Sequence, residues 1–183
     1  MRRFHDRAWQ RFFAPFSGAV IALVVSAPLL GCMGKNLREP GETLGFYAVS
    51  GTLHNNSCGD APTPWNFRVE LRKESTPTNR LYWSQGDMPV GAELGPDGKA
   101  SFSTTTQHIV RAATSKDPGC AISRKDAVTM TLDTAQTKFT GTLTYSYAIE
   151  EGSTCGDLTA AGITQAPCAV SYDIQGTATG ERK

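Results

Sequence analysis

The sequence is poor in histidine, nearly free of net charge, and without an apolar run long enough to cross a bilayer as a helix. Of its three His, His5 lies near the amino terminus, so His54 and His108 are the only imidazoles in the body of the chain. Eighteen Lys+Arg against 17 Asp+Glu leave a net +1, which excludes a basic nucleic-acid surface or an acidic tail as the main theme. No HExxH, P-loop or GxSxG is present, and no DxDxDG calcium spacing. No CxxC pair occurs either, so a thiolate zinc site lacks its usual close spacing. Long stretches of Ala, Leu and Glu are missing, which argues against a helical bundle. What the chain has instead is 21 Thr, 18 Gly and 10 Pro, the residues of strands and turns. A length of 183 residues suits one domain with a short additional segment.

The amino terminus reads as an address. Arg2, Arg3, Arg7 and Arg11 stand against one acid, Asp6, and an uncharged run follows from Gly18 to Leu30. A basic region before a short apolar one is the pattern of a secretory signal peptide. The run is too short for a spanning helix, which needs about 20 apolar residues. Leu29-Leu30-Gly31-Cys32 then resembles the lipobox of bacterial lipoproteins, Leu-x-Gly-Cys. The resemblance implies cleavage after Gly31, a diacylglycerol thioether on Cys32, and acylation of the new amino terminus with a chain such as palmitate. Met33 is not the Asp that retains many lipoproteins at the inner membrane, which favours the outer membrane. Residues 1–31 are thus read as the signal peptide, 32–43 as the lipidated terminus with a polar tether, and 44–183 as the domain. Removing four Arg and one Asp with the signal leaves 14 basic and 16 acidic residues, a net charge of −2.

Beyond the tether the apolar residues alternate with a period of two, the signature of half-buried strands. Phe67, Val69 and Leu71 face away from Arg68, Glu70 and Arg72, a sorting that a helix would scatter around its girth. Similar runs begin near Phe46 and cover Arg80–Ser84, Val90–Leu94, Lys99–Arg111, Ala127–Asp133, Lys138–Ile149 and Cys168–Ala178. The expected fold is all-β: an antiparallel meander of about seven to eight strands closing into a small barrel or sandwich. In an up-and-down order, the tight turns at Thr76–Asn79, Gly95–Gly98 and Thr134–Thr137 fall at one end and the other connections at the opposite end. The tether enters at the tight-turn end, which would place the membrane there and point the loops away from it.

Cys58, Cys120, Cys155 and Cys168 all fall at the long-loop end of that meander. An even set of cysteines in an exported domain reads as disulfides. Four cysteines allow three pairings; the local pair Cys155–Cys168, with Cys58–Cys120, is expected.

Little else suggests chemistry. Cys-Gly-Asp occurs at 58–60 and again at 155–157, either as paired acids or, with Gly in a turn and Asp capping it, as loop structure. No residue stands out as catalytic, and no metal or cofactor is implied. Trp65, Tyr82, Trp83, Tyr145, Tyr147 and Tyr172 either pack the interior or line a cavity, since an eight-stranded barrel has room for one small ligand. The fourteen residues Leu81–Leu94, with Trp83-Ser84-Gln85-Gly86-Asp87, resemble the Trp-x-x-Gly-Asp stretch of periplasmic lysozyme-inhibitor lipoproteins of the C-type class. No functional residue is carried over from so short a likeness. The expected function is that of a non-enzymatic, lipid-anchored envelope protein, a binding or structural module that presents disulfide-braced loops. Its partners would be the membrane, through the lipid, and an envelope protein, a glycan or a small apolar ligand, but not nucleic acid. The alternatives are a periplasmic lysozyme-inhibitor-like protein and a lipocalin-like small-ligand carrier, which requires a deep cavity lined by Phe67, Trp83, Phe102 and Tyr145.

Overall fold

The computed structural model describes residues 36–76, 79–156, 158–159 and 162–180. Cys32, the signal segment 1–31 and Asp157 lie outside the described residues. Eight strands follow in order: β1 (Glu42–Asn56), β2 (Trp65–Glu74), β3 (Arg80–Ser84), β4 (Val90–Glu93), β5 (Lys99–Arg111), β6 (Cys120–Leu132), β7 (Lys138–Ile149) and β8 (Cys168–Ala178). All paired neighbours are antiparallel, in the order β4-β3-β2-β1-β8-β7-β6-β5. The first and last strands pair with each other, so the meander closes between β1 and β8 and stays open between β4 and β5. The result is one nearly closed barrel-shaped sheet. A single apolar cluster fills it with residues from every strand, including Tyr47, Leu71, Leu81, Ala92, Phe102, Met130, Phe139 and Ile174.

Alternation accounts for the packing. Along β8, Cys168, Val170, Tyr172, Ile174 and Gly176 are buried, and their neighbours in sequence are less so. Gly176 lies opposite Phe139 on β7, and a Cβ there would come within 2.1 Å of the Phe139 ring. The missing side chain is what lets that ring pack against the β8 backbone. At the tight-turn end the fully buried Tyr47 donates its hydroxyl to the Gln136 carbonyl at 2.6 Å, tying β1 to the β6–β7 turn.

β6 differs from the sequence expectation, in which it begins at Ala127. It begins at Cys120, and the inward phase of Val128, Met130 and Leu132 runs back through Asp126, Arg124 and Ile122. Charged residues at inward positions interrupt the apolar pattern that marks a strand, so alternation alone does not reveal its first half.

The cysteine pairing also differs. The bridges are Cys58–Cys168 and Cys120–Cys155, each with Cα atoms 5.0 Å apart, rather than Cys155–Cys168 and Cys58–Cys120. Closure of the barrel decides this. Cys58 follows the end of β1 and Cys168 opens β8, its ladder partner; the Ser57 amide already donates to the Ala169 carbonyl at 2.9 Å. Cys155 continues the path of β7 beside β6, where the Thr154 amide donates to the Gly119 carbonyl at 2.9 Å. Leu158 and Ile163 of the long β7–β8 loop pack on both bridges with Ile122. The loop end is therefore braced by a second, smaller core.

Candidate ligand site in the barrel wall

β5 has 13 residues, whereas β4, which follows it around the wall, has four. The two join through a tight turn in which the Gly95 amide donates to the Lys99 carbonyl at 2.8 Å. β5 forms no ladder with β4, and roughly 30 Å of its edge extends beyond the reach of that short strand. The wall is left with a window, partly filled by the β3–β4 loop.

Behind the window lies a cavity of about 440 Å³. Trp83, Val90, Phe102, Val128 and Leu143 form its apolar wall, and Arg124, Asp126, Thr104 and Thr106 its polar side. Met88 stands at the rim and is 56% exposed. The apolar wall is anchored by ring contacts, Trp83 to Phe102 at 6.0 Å and Trp83 to Phe139 at 5.7 Å between centroids. The volume falls within the range of small-molecule sites, which are mostly apolar with a few placed polar groups.

Strand register builds the polar side. Residues two apart on β6 share a face, so Arg124 and Asp126 both project inward. They pair bidentately: Nε reaches Oδ1 at 2.7 Å and Nη2 reaches Oδ2 at 2.8 Å. On β7, Tyr145 lies opposite Asp126 and Tyr147 opposite Arg124, and the guanidinium carbon sits 5.3 Å from the Tyr145 ring centroid. The side chains of Arg124 and Asp126 retain 35% and 20% of their exposure, so water at the window relieves part of the desolvation a buried pair would suffer. Arg124 also borders a second hollow of about 390 Å³ towards the braced loops, with His108, Val110, Tyr147 and Ile163.

Burial raises the Tyr145 phenol above its ordinary value, and the Asp126 carboxylate raises it further. Burial likewise raises Tyr147 and Tyr47. These phenols stay protonated near neutrality and are not placed to serve as bases. A phenol with a folded pKa above its unfolded value adds stability that is fully present below about pH 10 and is lost as pH rises through the folded value. Urea midpoints are therefore expected to hold from pH 8 to 9.5 and to fall by pH 11. A Tyr145→Phe variant should lose less over that interval than the wild type; an equal loss would contradict the burial of this hydroxyl.

The residues singled out in the sequence separate in space. Of the four aromatics required for a carrier cavity, Trp83, Phe102 and Tyr145 line it, while Phe67 is not part of the lining and packs at a tilt against Trp65, with centroids 4.8 Å apart. Trp65 and Tyr172 pack together at 5.1 Å, and Tyr82 lies on the outer face over Gly91. His54 is exposed and pairs with Asp173 at 3.0 Å, and His108 contacts Thr106 at 3.2 Å. Asp60 is exposed, and the Cys58 amide donates to the Asn56 side chain at 2.9 Å in a local turn. No group of three or more His, Cys, Asp or Glu side chains is placed to hold a metal among the described residues. Arg124 and Asp126 were missed by the sequence reading; extending the phase of Val128 backwards was the signal that would have found them. No protein-family model, curated protein or solved structure matches this chain.

Proposed function

We propose that this protein is a lipid-anchored, non-enzymatic binding module of the cell envelope, and that the wall cavity is its ligand site. The cavity carries the reading: an apolar wall of Trp83, Phe102, Val128 and Leu143 ends at a charge pair already matched within itself. Such a site suits an amphiphile with an apolar body and a hydrogen-bonding head. A strong net charge on the ligand would gain little, because Asp126 already compensates Arg124. The two disulfides support export to an oxidising compartment. Anchoring rests on the lipobox at Cys32, and outer-membrane placement on Met33.

Binding is tested with cis-parinaric acid and its methyl ester, whose fluorescence rises in apolar surroundings. The purified protein is expected to bind both, with affinities within a few-fold of each other. Thr104→Trp, which places a large ring in the cavity from a half-buried wall position, should weaken binding at least tenfold. An unchanged affinity in that variant, or no binding by the wild type, would remove the ligand reading. Radiolabelled palmitate should be incorporated by the wild-type chain and lost in Cys32→Ser.

A further inference from the structure

The residues before β1 do not hang free. The Arg72 side chain, on the outer face of β2, is gathered around them: Nε donates to the Pro40 carbonyl at 3.0 Å and Nη2 to the Gly41 carbonyl at 3.0 Å. Its Nη1 is held by Thr43 at 2.6 Å and Glu70 at 2.8 Å. Arg72 is 9% exposed as a result, a charged side chain buried under its own amino-terminal segment. Gly41 has φ +64°, and a Cβ there would stand 2.4 Å from the Lys73 carbonyl oxygen, so the chain turns where only glycine fits. A further turn, with the Glu39 amide donating to the Asn36 carbonyl at 3.0 Å, follows towards the amino terminus.

This path leads across the outside of the short strands rather than away from the tight-turn end. Asn36 and Leu37 line an open hollow together with Arg80, Tyr82, Met88 and Pro89. Met88 and Pro89 belong to the β3–β4 loop, and Met88 is also the rim of the ligand cavity. Among the described residues, four large hydrophobic side chains are exposed, and two of them, Leu37 at 73% and Met88 at 56%, lie on this hollow. Cys32 precedes Asn36 by four residues. Four residue steps span at most about 14 Å whatever their conformation.

We infer that the β3–β4 edge of the barrel is a lipid-contacting surface, and that the wall cavity exchanges its amphiphile with the bilayer through the window rimmed by Met88. The inference rests on the reading of Cys32 as the lipid attachment and of the cavity as the ligand site. A long tether would let the barrel take any orientation. One that Arg72 holds at Glu39–Gly41, seven residues from its anchor and with the turn from Asn36 to Glu39 between, keeps the hollow near the interface. Exposed Leu and Met there are placed to enter the boundary between headgroups and acyl chains, where apolar area is favourably buried. The surroundings of the hollow carry both signs of charge, Arg80 with Glu39 and Glu74, so the contact is apolar rather than electrostatic. The membrane then lies beside the barrel at its window, not beyond the tight-turn end as the entry point of the tether suggested.

The test uses the acylated full protein in phosphatidylcholine vesicles, with and without bromine on the acyl chains. Emission of the Met88→Trp variant, corrected for the wild type, is expected to fall at least twofold in brominated vesicles. Ile149→Trp, at the end of β7, serves as the comparison and should change by less than a fifth. Equal quenching of the two, or none at Met88→Trp, overturns the orientation. A second measurement follows transfer of cis-parinaric acid from vesicles to the protein. Leu37→Asp, a residue outside the cavity, should slow transfer at least fivefold while affinity without vesicles is unchanged. An unaltered transfer rate overturns exchange through this edge. Failure of the wild type to bind the probe without vesicles counts against the ligand site itself, whereas bromine quenching reads the orientation independently of any ligand.

Discussion

Replacing Cys58 and Cys168 together by Ala is expected to destabilise the domain by about 5 kcal/mol. The bridge joins residues 110 positions apart, and the entropy it removes from the unfolded chain grows with the logarithm of that loop. The Cys120/Cys155 double replacement, which opens a separation of 35, should cost about 4 kcal/mol. Against a typical total of about 5–15 kcal/mol, either loss is severe, and the first leaves the domain partly unfolded at 37 °C. Location reinforces the ranking. Cys58–Cys168 fastens the pair β1–β8, the junction by which the first and last strands close the sheet. Cys120–Cys155 fastens the start of β6 to the extension of β7, whose ladder is already continuous from Ile122 to Leu132. Urea unfolding of the two double variants measures both costs. A larger loss in the Cys120/Cys155 variant would contradict this account, as would peptide mapping that finds Cys155 joined to Cys168.

The second large effect is expected at the charge pair. Arg124→Met keeps most of the side-chain volume and removes the charge, leaving Asp126 in the cavity wall without its bidentate partner. Breaking a fully buried pair costs about 3–5 kcal/mol, and the remaining exposure of both side chains reduces this to about 2 kcal/mol here. The double variant Arg124→Met/Asp126→Leu should recover most of that loss, since two apolar groups then continue the wall formed by Val128 and Leu143. In denaturant melts the two substitutions are thus expected to be strongly non-additive. If the double variant is less stable than Arg124→Met, the pair stabilises the barrel outright and is not retained for the cavity's polarity.

Alternation of apolar and polar residues along β2, β7 and β8 is a property of a few neighbouring residues, and it located those strands almost to the residue. The same rule misread β6 because two inward positions, 124 and 126, carry charge, and polarity there is permitted only by a window that other strands create. The composition of MGKNLREPGE shows only a polar tether; its grip by Arg72 depends on a side chain more than thirty residues away.

By itself the sequence determined the all-β class of fold, an approximate count of seven to eight strands, and the clustering of four cysteines at one end, because each follows from local periodicity and from the order of turns. Which cysteines pair, which residues line the cavity, and where the amino-terminal segment leaves the barrel were decided only by the tertiary structure. Each of these depends on which strands become neighbours and how far each one extends. Cys58 meets Cys168 because β1 closes on β8, and the cavity opens because a strand of four residues stands beside one of 13. The physical reason is common to all three: strand pairing joins residues distant in the chain, so its outcome is set by closure of the whole sheet.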